Sequence, residues 1–230
     1  LTEIARKHIP NVIVTPKKHP PMNNLKTAKE IFNQYASDYQ NKYMNVDVYQ
    51  HSFDLFCNII SNENAEILEI GCGPGNITKY LLERRPGFKI LGIDVAPNMI
   101  ELAKTNNPRA DFIVMDCRNI AMLDKHYDAI LCGFCLPYLS KEESIKLISD
   151  ATLLLKPQGI LYLSTMEDDY NKSGIQTNSH GDQTYMYFHQ ADYLTQTLEG
   201  NGFKIIEITR QDYPTKEETK TTDLLILARK

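Results

Sequence analysis

Leu68-Glu69-Ile70-Gly71-Cys72-Gly73-Pro74-Gly75-Asn76 places glycine at every second position directly after a short apolar run. Glycine has no Cβ, so such a stretch lets a ligand come up against the backbone. If a helix starts behind it, the unpaired N–H groups of the first turn favour an anionic group, carboxylate or phosphate. Asp94 follows Gly75 by about 20 positions, the distance at which an acidic residue at a second strand's end can bind ribose hydroxyls. Asp116 ends a third apolar segment in the same way. One loop and two carboxylates, each leaving a different strand tip, would line one crevice and take a nucleoside-type ligand.

Two related loop types differ from this one. The dinucleotide fingerprint needs a third glycine where Asn76 stands, and a phosphate-binding P-loop needs Gly-Lys-Ser/Thr, which is absent. A nicotinamide-dependent oxidoreductase is therefore a weaker alternative. A non-catalytic module that binds an adenosyl ligand is another, since intact binding residues say nothing about turnover.

The elements that must hold these residues follow from periodicity. Ala28, Phe32, Tyr35, Tyr39 and Tyr43 share one helical face, and Tyr49, Phe53, Phe56 and Ile60 share another. From residue 66 strands and helices alternate. Strands are predicted at 67–70, 88–94, 111–116, 127–133 and 159–164, with helices at 76–85, 97–105 and a stretch ending before Pro157. A further helix at 191–199 precedes strands at 203–213 and 222–229. Alternation of this kind gives a mostly parallel sheet covered on both faces. The last two strands are joined by too few residues for a parallel crossover, so they should pair antiparallel. The expected fold is a Rossmann-like, doubly wound three-layer α/β sandwich of about seven strands. Residues 1–21, with four prolines, read as an extension, and 22–230 as one domain. Within it, 22–61 read as a helical N-terminal lid and 166–188, polar and aromatic, as a loop or lid insertion.

Net charge is −4 over 230 residues, which argues against non-specific nucleic-acid binding. No apolar run is long enough for a membrane span and no signal core opens the chain. Cys57, Cys72, Cys117, Cys132 and Cys135 read as reduced thiols, pointing to the cytoplasm. Cys132 and Cys135 form one Cys-x-x-Cys, but no further ligands stand at a suitable spacing, so no metal is expected.

Residues 66–165 resemble the class I S-adenosylmethionine-dependent methyltransferases, in particular small-molecule enzymes with Glu-x-Gly-x-Gly-x-Gly loops. The resemblance implies that the Gly71, Cys72, Gly73 and Gly75 backbone meets the methionine part of S-adenosyl-L-methionine. It implies that Asp94 binds the ribose, that Asp116 and the Cys117 N–H bind adenine, and that Val95 and Met99 pack beside them. Tyr127 to Phe134 resembles the family's fourth-strand motif, which would bring Cys132 beside the methionine chain. Lys156-Pro157-Gln158-Gly159 resembles the turn before its fifth strand. By position Tyr39 is the N-terminal tyrosine that similar enzymes place against the cofactor. The partner would be a small-molecule methyl acceptor.

Where relatives often carry Leu-His-His-Leu, this chain reads Leu136-Pro137-Tyr138-Leu139. A histidine base is thus missing there. Tyr138 could face the acceptor instead, and His180 and His189 are the other candidates for proton transfer. A methyl acceptor already nucleophilic needs no base at all.

Overall fold

The computed structural model describes residues 25–213 and 221–230. The extension read at 1–21 and the connection at 214–219 lie outside the described residues.

The helices start where local chemistry starts them. Helix α1 (Ala28–Gln34) opens on a capping box: Thr27 Oγ1 accepts from the Glu30 amide at 3.3 Å, and Glu30 Oε2 accepts from the Thr27 amide at 2.8 Å. Helix α2 (Ala36–Tyr43) follows after a break at Tyr35 (φ −109°, ψ 26°), so the face read from Ala28 to Tyr43 belongs to two helices. Helix α3 spans Gln50–Ile59, α4 Asn76–Arg84 and α5 Pro97–Asn106, the last with proline at its first position. Ser140 and Glu143 form a second capping box on α6 (Lys141–Leu154), and α7 is Ala191–Gly200.

Strands β1 (Glu66–Ile70), β2 (Lys89–Asp94), β3 (Asp111–Val114), β4 (Tyr127–Cys132), β5 (Leu155–Glu167), β8 (Lys204–Tyr213) and β9 (Thr221–Arg229) form one sheet, ordered β3-β2-β1-β4-β5-β9-β8. The first five are parallel; β9 runs antiparallel to both β5 and β8. The terminal hairpin is as the short connection requires. The fifth strand starts earlier than read, at Leu155, because Leu155 pairs with Tyr127 of β4 before the register shifts at the Lys156–Gly159 turn.

Side chains alternate across the sheet with period two. Ile67, Ala129, Leu131, Ile160 and Tyr162 pack against α3 and α4. Leu68, Ile70, Ile130, Cys132, Leu161 and Leu163 pack against α6 and α7. Both faces are thereby closed, and the exposed business end of the sheet is the row of carboxyl-terminal strand tips. Among the described residues no helix is long and apolar enough to cross a membrane.

The segment 166–188, read from sequence as a loop or lid insertion, has secondary structure that the sequence did not show. It contains a two-stranded antiparallel hairpin, β6 (Gly174–Thr177) and β7 (Gln183–Met186). Strands of four residues carry too few alternations to show a period. The hairpin is tied to the body through Tyr187 N–H to the Pro137 carbonyl (2.8 Å), and to the N-terminal segment through Lys26 N–H to the Gln183 carbonyl (2.7 Å).

Candidate active site

In this sheet order the chain turns in opposite directions from β1 and β4, and the crevice between their carboxyl ends is where open α/β sheets bind ligands. A cavity of about 660 Å³ occupies it, within the roughly 300–1,000 Å³ usual for small-molecule sites. Its floor is Gly71, Gly73, Asp94, Val95 and Gly133; its far wall is Met115, Asp116, Cys117 and Arg118; its roof comes from α1, α2 and β7.

The glycine loop has the shape its composition requires. Gly75 is the N-cap of α4 at φ +78°, and a Cβ there would lie 2.3 Å from Asn107 Nδ2. Gly73, at φ +52°, differs: a Cβ there would meet only Tyr39 Cε1, at 3.7 Å, beside the cavity. Asn106 and Asn107 hold the loop from behind, donating to the Pro74 and Gly75 carbonyls at 2.8 and 2.9 Å.

Asp94 closes β2 and clamps this loop. Its Oδ2 accepts from the Gly73 amide at 3.0 Å and its Oδ1 from the Ala96 amide at 2.8 Å. Each oxygen keeps a further lone pair. Burial pushes its pKa up, against the backbone N–H groups that favour the charged form. Glu69, at the end of β1, is 1% exposed, and burial pushes its carboxyl up to about 8. Thr78 donates to one of its oxygens, and the other, Oε1, has no hydrogen-bond partner.

Asp116 reaches the wall already engaged. Its Oδ1 accepts from the Arg118 amide at 2.9 Å and from the Arg118 guanidinium at 3.2 Å, and Arg118 in turn holds Glu143 at 2.6 Å. Arg118 and Glu143 both line the cavity and were not singled out in the sequence. The Ser140-x-x-Glu143 capping pattern was the available signal for the second of these. Cys117 and Cys135 also lie on the wall, with Sγ atoms 3.5 Å apart.

Aromatic rings enclose the space. Phe32 meets Tyr39 edge-on at 5.6 Å and Tyr138 edge-on at 5.1 Å. Burial raises the phenol pKa of both tyrosines, so they are neutral hydrogen-bond groups at ordinary pH. Met99, 1% exposed, lines the cavity and also packs among Ala36, Ala96, Phe32 and Tyr39. Phe134 holds a left-handed backbone (φ +52°) while its amide donates to Ser164 Oγ at 3.0 Å. Strain of this sort persists where surrounding contacts over-determine it.

Of the residues singled out from sequence, Tyr39, Gly71, Gly73, Asp94, Val95, Met99, Asp116, Cys117 and Tyr138 line the cavity. Five do not. Cys72 packs under α5 with Ile100, Ala103 and Phe112. Gly75 lies behind the loop as the helix cap. Cys132 points to the α6/α7 side of the sheet by strand alternation. His189 is fully buried: its Nε2 bonds the Leu136 carbonyl at 2.9 Å and its Nδ1 pairs with the Tyr193 hydroxyl, and burial lowers its pKa. His180 stacks on Tyr35, with centroids 4.0 Å apart, outside the cavity wall. Neither histidine is placed to serve as the base. Among the described residues no group of three or more acidic, histidine or cysteine side chains could hold a metal.

The fold and the cleft define an open α/β protein with a small-molecule-sized cavity at its topological switch. Residues 67–159 match the methyltransferase domain family. Over this stretch, which carries the glycine loop, Asp94 and Asp116, the chain is similar to methyltransferase domains. It is 38% identical over 101 residues to a methyltransferase-like protein of Invertebrate iridescent virus 6, covering 44% of this chain and 37% of that protein. A ubiquinone biosynthesis O-methyltransferase of Coxiella burnetii is 26% identical over 174 residues, 69% of this chain and 72% of the relative. The chain thus spans little more than a third of the viral relative's length. In fold it matches the 1,6-didemethyltoxoflavin-N1-methyltransferase of Burkholderia thailandensis, solved with its substrate and S-adenosylhomocysteine (TM-score 0.65, 20% identity, 88% of this chain and 86% of that one).

Proposed function

We propose that the cavity binds S-adenosyl-L-methionine and that the protein transfers its methyl group to a small-molecule acceptor. The observation that carries this reading is the Asp94 clamp: a partly buried carboxylate at the tip of the neighbouring strand, bonded to the Gly73 amide. It leaves acceptor capacity toward the cavity where a ribose would lie. Gly71 and Gly73 would admit the methionine part, Val95 and Met99 would flank the adenosyl group, and Asp116 with the Cys117 amide would receive adenine. Cys72, Gly75 and Cys132 shape this site from behind.

When bound, the cofactor supplies an activated methyl group on a sulfonium, so the protein's task is position and enclosure. Tyr39, Phe32 and Tyr138 form an aromatic wall on which a sulfonium and a flat acceptor can rest. Transfer is an in-line displacement, and holding the acceptor on the methyl–sulfur axis accounts for much of the rate. The α1–α2 segment and the β6–β7 hairpin act as the lid, excluding water during transfer, whereas α3, read from sequence as part of the lid, packs in the core against the sheet. Tyr138, neutral and on the wall, can orient a polar acceptor atom.

Calorimetry with S-adenosylhomocysteine, alongside NADH, tests the cofactor, and transfer of labelled methyl from the donor to an acceptor panel tests the activity. Tight binding of the homocysteine compound and none of NADH is expected. Binding of NADH alone would reverse the reading.

A further inference from the structure

The two roof segments, 147 residues apart in sequence, converge on one carboxylate. Asp182 Oδ2 accepts from the Tyr35 hydroxyl at 2.5 Å and from Lys26 Nζ at 2.8 Å. Tyr35 sits at the break between α1 and α2, and Lys26 precedes α1. The ring of His180, two residues before Asp182, stacks on Tyr35 at an interplanar angle of 7°, and its Nε2 lies 3.5 Å from Asp38 Oδ2 on α2. The Asp182 side chain is only 13% exposed, so these charges meet partly shielded from solvent.

The turn that presents Asp182 is built without help from α1. Asn178 Oδ1 accepts from the His180 and Asp182 amides at 2.9 and 3.0 Å, and the Asn178 amide donates to the Asp182 carbonyl at 2.9 Å. Asp182 is therefore a pre-set acceptor that the N-terminal segment docks on. Beyond the docking point, Lys26, Phe32 and Tyr39 from one segment, and Thr184, Tyr185 and Tyr187 from the other, line the same cavity.

We propose that Asp182 is a positioning residue that latches the β6–β7 hairpin to the α1–α2 segment, so that the two halves of the roof open and close as one unit. The consequence for catalysis rests on the methyltransferase reading; the latch itself does not. With Asp182 in place, release of one half requires breaking the Tyr35 and Lys26 bonds and unstacking His180, so neither half fluctuates alone. A ligand under the roof then leaves only when both halves lift.

Hydrogen exchange on the ligand-free full chain tests this in Asp182→Ala, and in Tyr35→Phe, which keeps the ring stack and removes only the hydroxyl. Protection at 28–43 and at 183–188 should fall together, by about tenfold for Asp182→Ala and less for Tyr35→Phe, with β1 unchanged. S-adenosylhomocysteine should dissociate faster by a similar factor. Protection unchanged in both variants, or lost only in the hairpin, would overturn the latch. Because exchange needs no ligand, a wild-type protein that failed to bind the homocysteine compound would sink the functional reading and leave the latch to be judged on its own.

Discussion

The Gly73 amide, in the loop that follows β1, and the Asp94 carboxylate, at the tip of the adjacent β2, are joined by a 3.0 Å hydrogen bond. That bond sets the distance between the loop that would receive the methionine part and the carboxylate that would receive the ribose. Asp94→Ala should weaken S-adenosylhomocysteine binding by about 10- to 100-fold, the worth of a lost charge-assisted hydrogen bond pair. Calorimetry reads it directly, and unchanged affinity would remove Asp94 from the site.

Gly75 and Gly73 both have left-handed backbones, but alanine should act mainly on stability at the first and mainly on ligand binding at the second. At Gly75 the new Cβ collides with Asn107 Nδ2 at 2.3 Å, so Gly75→Ala should cost roughly 1–3 kcal/mol of stability. At Gly73 the Cβ finds only ordinary contact with Tyr39, so the fold should lose about 1 kcal/mol while ligand affinity falls much further. Denaturant melts paired with binding isotherms separate the two effects.

Glu69 makes stability depend on pH. Its ordinary carboxyl pKa of 4.5 rises to about 8 in the fold. Between those values the folded protein keeps a proton that the unfolded chain has lost. Its contribution is therefore complete below about 4.5 and is lost as pH rises through about 8. Glu69→Gln should flatten this decline, which amounts to on the order of a few kcal/mol. Thermal melts from pH 5 to 9 give the comparison; an identical slope in both proteins would show that Glu69 ionises freely.

His189→Ala should lower stability and leave turnover per folded molecule unchanged. The imidazole bonds the Leu136 carbonyl and Tyr193 inside the core, so its loss leaves buried groups unpaired, at roughly 2–4 kcal/mol. Active-site titration against a melt distinguishes this from a catalytic loss, which would show as reduced kcat in fully folded protein.

Local chemistry made much of the protein legible in its sequence. Glycine at alternate positions after an apolar run, acids at two further strand ends, and strand–helix alternation are short-range features, and they gave the loop, the crevice and the parallel sheet with its antiparallel end. Which side chains enter the cavity was decided by tertiary structure. Cys132 belongs to the motif but faces the other side of the sheet, because neighbouring residues on a strand point apart. His189 looked available until the Leu136 carbonyl, 53 residues away, was seen to hold its ring. Arg118, Glu143 and the Asp182–Tyr35 contact depend on distant segments meeting, and the four-residue strands of the roof hairpin gain their order from pairing rather than from any pattern of their own. Periodicity records the face an element buries; only packing fixes what that face is buried against.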